Sequence, residues 1–203
     1  EGAAPEDVKI QWVGALMKQQ PKEKFVLICH SAETAVAIDE ALTQTISTST
    51  TALFHEGLTL LQRDRNAAWF ADADGARVLV CSEIGSEGRN FQFAHHLILF
   101  DLPPDPALLE QRIGRLDRIG QGSDIHIHVP YLIGSSEELW ALWYHQGLGA
   151  FSSTLHGSRE ILKRFGPELE DLSVPEKDWE EVLPELIERT RLAKQEIDEE
   201  LEA

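Results

Sequence analysis

Four short apolar runs, each of strand length and most followed by a helix-forming stretch, constrain this 203-residue chain more than any other feature. They are KFVLICH (24–30), TTALFHEG (50–57), ARVLVCS (76–82) and HHLILFD (95–101). Continuous rather than alternating apolarity marks strands buried on both faces, the signature of a parallel sheet. SAETAVAIDEALTQT (31–45) is rich in helix formers, and Ser31 stands at its N-cap position. LTLLQRDRNAAWFAD (58–72) reads as a second helix, and VKIQWVGALMKQQ (8–20) as a third that stops before Pro21. DPALLEQRIGRLDRIGQG (105–122) predicts a helix opened by Asp105 and Pro106. DIHIHVPYL (124–132) predicts a half-exposed strand, and SSEELWALWYHQGLGAFSSTL (135–155) a serine-capped helix. The order implies an α/β fold, a parallel sheet with helices on both faces. From Gly157 to Pro175 the composition shifts toward charge and helix breakers, so residues 1–157 read as one lobe and 158–203 as an acidic helical extension. The helix expected over 179–203 shows no continuous apolar stripe through Leu186, Arg189 and Lys194, and so calls for a partner.

Composition excludes several classes. No apolar run is long enough to span a membrane, and EGAAPEDVK has neither the basic start nor the apolar stretch of a secretion signal. It also lacks a starting Met, which suggests a piece of a longer protein. Net charge is −17, which argues against non-specific nucleic-acid binding. The charge is uneven: over 159–203 acidic residues outnumber basic ones about two to one, which leaves room for a local basic contact elsewhere. Cys29 and Cys81 each end an apolar run and read as buried thiols of a reducing cytoplasm. His126 and His128 share a strand face, but two ligands without a third favour packing over metal, and His95 and His96 are read the same way. Trp12, Trp69, Trp140 and Trp143 are expected in the core. VAIDEAL (36–42) resembles a Mg²⁺-holding DEAx box but lies inside a helix, and no G-x-x-x-x-G-K-S/T loop exists to grip a triphosphate.

Chemistry concentrates in QRIGRLDRIGQ (111–121). On a helix Leu109, Ile113 and Leu116 share one face, while Gln111, Arg115 and Arg118 share the opposite one. That arrangement presents an amide and two guanidiniums outward together, a geometry suited to a polyphosphate. The competing reading is a solvated face with Glu110 and Asp117 as ion-pair partners. Gly114 costs about 1 kcal/mol against Ala inside a helix, which points to a close approach there. After the third apolar run, CSEIGSEGRNFQFA (81–94) places Gly85 and Gly88 where a tight turn can aim backbone N–H groups at an anion, with Ser82, Ser86 and Asn90 as short polar donors.

QRIGRLDRIGQ resembles motif VI of helicase superfamily two, in its Swi/Snf branch. CSEIGSEGRNFQFA resembles motif V of the same family and VLICHSAET (26–34) motif IV, while FHEGLTLLQRDR (54–65) resembles the motif that follows. FDLPPDP (100–106) stands where the family carries an aspartate and an Asn-Pro turn. The resemblance runs from Val8 to Leu155 and is nearer to bacterial RNA polymerase-associated members than to eukaryotic remodellers. It implies a second RecA-like lobe whose arginine fingers are Arg115 and Arg118, with Gln111, Gly85 and Gly88 near ATP. Ser82, Ser86, His30 and Gly57 would meet nucleic acid, and Asn90 would brace the loop. Mg²⁺ and ATP would be gripped by an upstream lobe, so the chain alone would be inactive as an ATPase. Partners would be that lobe, RNA polymerase and DNA or RNA, in a bacterial, nucleoid-associated setting. One departure is Ser82-Glu83, where the family more often has Thr-Arg. Two rival readings are a docking module for RNA polymerase and a stand-alone Rossmann-type enzyme, the latter lacking its G-x-G-x-x-G turn.

Overall fold

The structure is a computed structural model and describes residues 5–46, 50–117 and 122–203. Strand β1 (Phe25–Cys29) lies at the centre of a five-stranded sheet. On one side follow β3 (Val78–Ser82) and then β2 (Thr51–Phe54), and on the other β4 (His96–Leu99) and then β5 (His126–His128). All pairings are parallel. Strands β1, β3 and β4 are buried along their whole length, as their unbroken apolar runs require.

Because side chains alternate along a strand, the sheet presents two apolar faces. Phe25, Leu27, Cys29, Val78, Val80 and Ile98 meet Ile10, Val13 and Met17 of α1 (Pro5–Gln19) and Ala35, Ile38 and Leu42 of α2 (Ala32–Thr45). Facing the other way, Phe54 stands in register with Cys81 and packs edge-on to Phe91 at 5.7 Å. Phe91 in turn meets Phe70 of α3 (Leu60–Ala71) at 6.4 Å. Helices thus lie on both faces, as the strand pattern predicts, and the fold is RecA-like. Ser31 caps α2 by accepting from the Thr34 N–H at 3.2 Å. Thr59 and Gln62 form a reciprocal capping box on α3, a T-x-x-Q signal present in the sequence.

The chain divides into two compact units, one of residues 1–101 with 112–130 and the other of residues 102–111 with 131–203. In the second unit the helix expected over 135–155 is shorter and changes type. Helix α5 spans Ser136–Leu142 and continues as a π-helical turn, Trp143–Leu148, closed by Gly149 at φ 61°. The stretch read as breakers contains α6 (Ser158–Leu172), and the last helix, α7, runs over Trp179–Glu202. An apolar seam does exist on α7: Trp179, Leu183, Leu186, Ile187, Thr190 and Ala193 are all buried. It passes beside Arg189 and Lys194, which serve other ends. Arg189 forks onto Glu168 at 3.0 and 2.6 Å, and Lys194 donates to the Leu148 carbonyl at 2.8 Å. Trp143, fully buried, donates from Nε1 to Thr190 Oγ1 at 2.8 Å, which supplies the partner that a buried indole needs.

Two of the four tryptophans expected in the core are not there. Trp12 is 41% exposed and Trp69 43%. The inward residues of α1 are Ile10, Val13 and Met17, and α3 turns Phe70 inward, so each indole is displaced to the rim of its helix. Trp140 is half-buried and donates to Ser173 Oγ at 3.0 Å.

His126 and His128 share a face as expected, and His96 joins them. Its ring stacks on His126 at 4.8 Å and on His128 at 5.3 Å, and its Nδ1 lies 3.0 Å from His128 Nε2. Glu23 is 3.9 Å from the other nitrogen of His96, and Trp12 borders His128 at 6.1 Å. Near-parallel rings cannot converge their lone pairs on one ion, and among the described residues no group of three His, Cys, Asp or Glu could hold a metal.

Two consequences can be measured. A Cβ on Gly75 would stand 1.8 Å from the Trp69 carbonyl oxygen, so Gly75→Ala forces the backbone apart. We expect a loss of about 1–3 kcal/mol in denaturant unfolding. Burial, with His96 and His126 alongside, holds the His128 imidazole down to about 4 from 6.5. Its neutral form therefore favours the fold fully above pH 6.5, and that contribution is lost as pH falls from there toward 4. His128→Gln should flatten the fall of Tm through this window; an unaltered slope would contradict the assignment.

Candidate functional site

Parallel strands all end at the same edge of a sheet, and here that edge gathers the polar residues. His30 follows β1, His55, Glu56 and Gly57 follow β2, Ser82 and Glu83 close β3, and Asp101 follows β4. Helix α4 (Pro106–Ile113) delivers the arginine string to the same edge, opened by Asp105, whose carboxylate accepts from the Ala107 N–H at 2.9 Å.

The best-connected side chain there is Arg112, 1% exposed. Its Nε reaches both oxygens of Glu83, at 3.0 and 2.9 Å, and its Nη2 donates to Glu83 Oε1 at 2.8 Å. The same guanidinium meets Asp101 through its backbone carbonyl at 2.6 Å and its Oδ1 at 3.0 Å. Asp101 Oδ2 in turn accepts from the His30 backbone N–H at 3.0 Å and lies 2.9 Å from His30 Nδ1. Burial alone would lower the pKa of Arg112, but the Glu83 and Asp101 carboxylates outweigh it and the net direction is upward.

A second node braces the loop after β3. Ser82 Oγ donates to Glu56 Oε2 at 2.5 Å and accepts from the Gly85 N–H at 3.0 Å. That hydroxyl holds the Glu56 carboxyl below its usual range. Only glycine fits at 85, because a Cβ would lie 2.5 Å from the His55 Cα and 2.6 Å from Ser82 Oγ. Ser86 is buried, its N–H on the Ser82 carbonyl at 3.1 Å and its hydroxyl on the Glu83 carbonyl at 3.2 Å. Gly88 adopts a left-handed φ of 73° with open space around it. Both serine hydroxyls thus serve the loop itself. Of the residues expected to meet an anion or nucleic acid, His30, with 67% of its side chain exposed, Gly57, Gly88 and Asn90 face outward. Gly57 donates its N–H to His55 Nδ1 at 3.0 Å.

The outward guanidinium that a continuous helix predicts at Arg115 is not what the structure holds. The helix stops at Ile113; Gly114 begins a turn, and the Arg115 N–H bonds the Arg112 carbonyl at 3.2 Å. Leaving the helix turns Arg115 inward to 6% exposure, while Gln111 stays exposed. Arg118 lies outside the described residues. The Arg115 carbonyl accepts from the Phe91 N–H at 2.7 Å, which ties the string to the loop after β3.

Arg112, Glu83, Asp101 and Glu56 escape a reading that looks for outward charge. The signal for Arg112 was available: it stands three residues after Leu109, on the same side of the helix as Ile113 and Leu116. A cation on a buried stripe must be paired, and CSE and LFD each end a strand with a carboxylate. Burial and the neighbouring Asp101 push the Cys29 thiol up to about 12, and burial raises Cys81 as well, so neither buried cysteine offers a thiolate. Together the edge can brace a loop, offer backbone N–H groups to an anion and place guanidinium charge beside it. It has no loop of its own to grip a triphosphate.

The helicase conserved C-terminal domain profile matches residues 8–120, and the RNA polymerase recycling family C-terminal profile matches 124–203. RNA polymerase-associated protein RapA of Stutzerimonas stutzeri (strain A1501) is 48% identical over 198 residues, which is 97% of this chain and 20% of that protein. RapA of Pseudomonas aeruginosa (strain LESB58) is 50% identical over 182 residues, 88% of this chain and 19% of that protein. The chain thus spans about a fifth of the length of these relatives. Among solved structures, the C-terminal part of the Fun30 ATPase domain aligns with a TM-score of 0.57 at 21% identity, covering 81% of this chain and 53% of that one. The C-terminal domain of the DEAD-box protein Dbp5 aligns at 0.54 and 21% identity, covering 72% and 81%. These two likenesses concern the fold. With more than half of its length matched by the first profile, the chain belongs to the helicase conserved C-terminal domain family.

Proposed function

We propose that the chain is the arginine-bearing second lobe of an ATP-driven nucleic-acid motor that acts on RNA polymerase during transcription. The observation that carries this reading is the gathering of the arginine string and three strand-end loops at one edge of a parallel sheet. Mg²⁺-bound ATP would be gripped by an upstream lobe, since this chain carries no phosphate-gripping loop, and would supply the energy of the cycle. Arg115 and Arg118 would stabilise charge on the phosphoryl group in transfer, with Gln111 and the N–H groups near Gly85 and Gly88 beside the nucleotide. With so little of Arg115 exposed, the phosphate has to seat against the carboxyl edge for the two to meet. His30 and Gly57, on outward loops, would meet a DNA or RNA backbone; Ser82 and Ser86 would act on the strand through the loop they brace.

A docking role for residues 124–203 is compatible with this, because a motor needs a tether to its target. The match of that segment to the RNA polymerase recycling family C-terminal profile supports it. The two roles separate experimentally. Capture of RNA polymerase that disappears on removal of 159–203, with ATP turnover retained in a two-lobed protein, assigns docking to the extension.

The chain alone should show no Mg²⁺-dependent ATP hydrolysis above background; robust turnover would refute the division of labour between lobes. In a two-lobed protein carrying this lobe, Arg115→Ala and Arg118→Ala should each lower turnover by at least about a hundredfold. Affinity for ATP should stay within about threefold, because ground-state binding rests on the other lobe. Unchanged turnover would remove both arginines from the mechanism.

A further inference from the structure

We infer that Arg112 is a positioning residue: clamped between Glu83 and Asp101, it fixes where Arg115 is presented, and it does not itself contact phosphate. This rests on the motor-lobe reading above and adds a residue to it. The circuit can be traced bond by bond. The Arg112 side chain holds Glu83, the first residue of the loop after β3, through three hydrogen bonds. Further along that loop, Phe91 donates its N–H to the Arg115 carbonyl at 2.7 Å. The Arg115 N–H closes the ring on the Arg112 carbonyl at 3.2 Å. Segments 83–91 and 112–115 are therefore tied at both ends, and neither can shift without the other.

Asp101 anchors this ring to the sheet. It takes Arg112 on one carboxylate oxygen and His30 on the other, which links the ends of β1 and β4 to the start of the loop after β3. At 1% exposure and with two carboxylates engaged, the guanidinium has no free face for a phosphate. A planar fork is also the group suited to this duty, since it grips two carboxylates at fixed angles where an ammonium would act as a point charge.

Two measurements test this. On the chain itself, hydrogen exchange should rise in Arg112→Met at the amides of Gly85, Ser86, Arg89 and Phe91, while amides of β1 and β3 keep their protection. Arg112→Met leaves two carboxylates without their cation and could fail to fold, so Glu83→Gln, which leaves Asp101 on Arg112, is the second variant. Uniform loss across the strands in both variants, or no change in either, would overturn the clamp.

In a two-lobed protein, the readout is the affinity for ADP with aluminium fluoride, a transition-state mimic, divided by that for a non-hydrolysable ATP analogue. The ratio does not depend on the fraction of protein that is folded. Glu83→Gln should lower it about tenfold, and Arg112→Lys should lie between that variant and the parent. If Arg115→Ala lowers the ratio and Glu83→Gln does not, the positioning role falls and the motor reading stands. If Arg115→Ala leaves it unmoved, the motor reading falls first.

Discussion

A guanidinium removed from water has to find its counter-charges within the protein, and that requirement organises one edge of the sheet. Arg112 lies on the buried side of its helix and takes a carboxylate from each of two strand ends, Glu83 and Asp101. Through Asp101 it also sets His30, so the ends of three neighbouring strands and one helix share a single hydrogen-bonded cluster. Buried ion pairs of this kind contribute little net stability, because desolvation offsets most of the attraction. What they supply is register. An apolar cluster of equal volume could slide by an ångström, whereas a bidentate fork between two carboxylates has few arrangements that satisfy every donor.

The acidic balance of the chain and its arginine-bearing edge are not in conflict. The excess of carboxylates over 159–203 belongs to the second compact unit, and Arg189 and Arg191 there are engaged by Glu168, Glu185 and Glu188. At the strand-end edge the count is closer. Glu56, Glu83 and Asp101 are each committed to a specific donor, which limits their repulsion of an incoming phosphate.

Much of the fold was legible because strand burial and sequence pattern are one and the same constraint. FVLIC and VLVCS admit no polar residue until their ends, and both are buried throughout. Ser31 and Asp105 announced their helices for a similar reason, since a short side chain with an acceptor has few better places. The arginine string was harder. Its helical spacing is regular enough to suggest a helix to residue 122, yet Gly114 permits a turn and the Phe91 N–H takes the Arg115 carbonyl. Competition of that kind is tertiary and leaves no periodic trace. The histidines show the same limit. His126 and His128 share a face by simple alternation, but the arrival of His96 beside them depends on strand order, which spacing along the chain does not encode.

The π-helical turn over Trp143–Leu148 has a consequence for how this region tolerates change in length. Trp143 and Tyr144 are adjacent and both are fully buried, the indole on Thr190 and the phenol on the Pro103 carbonyl at 2.6 Å. Neighbours on an ordinary helix diverge by about 100°, and a wider turn is one way to seat both aromatics with their polar tips satisfied. Removing one residue would restore an ordinary helix and swing every side chain that follows out of register with the seam on α7. A segment that could pass for a helix end before a loop is therefore one of the least forgiving places in the chain for a deletion.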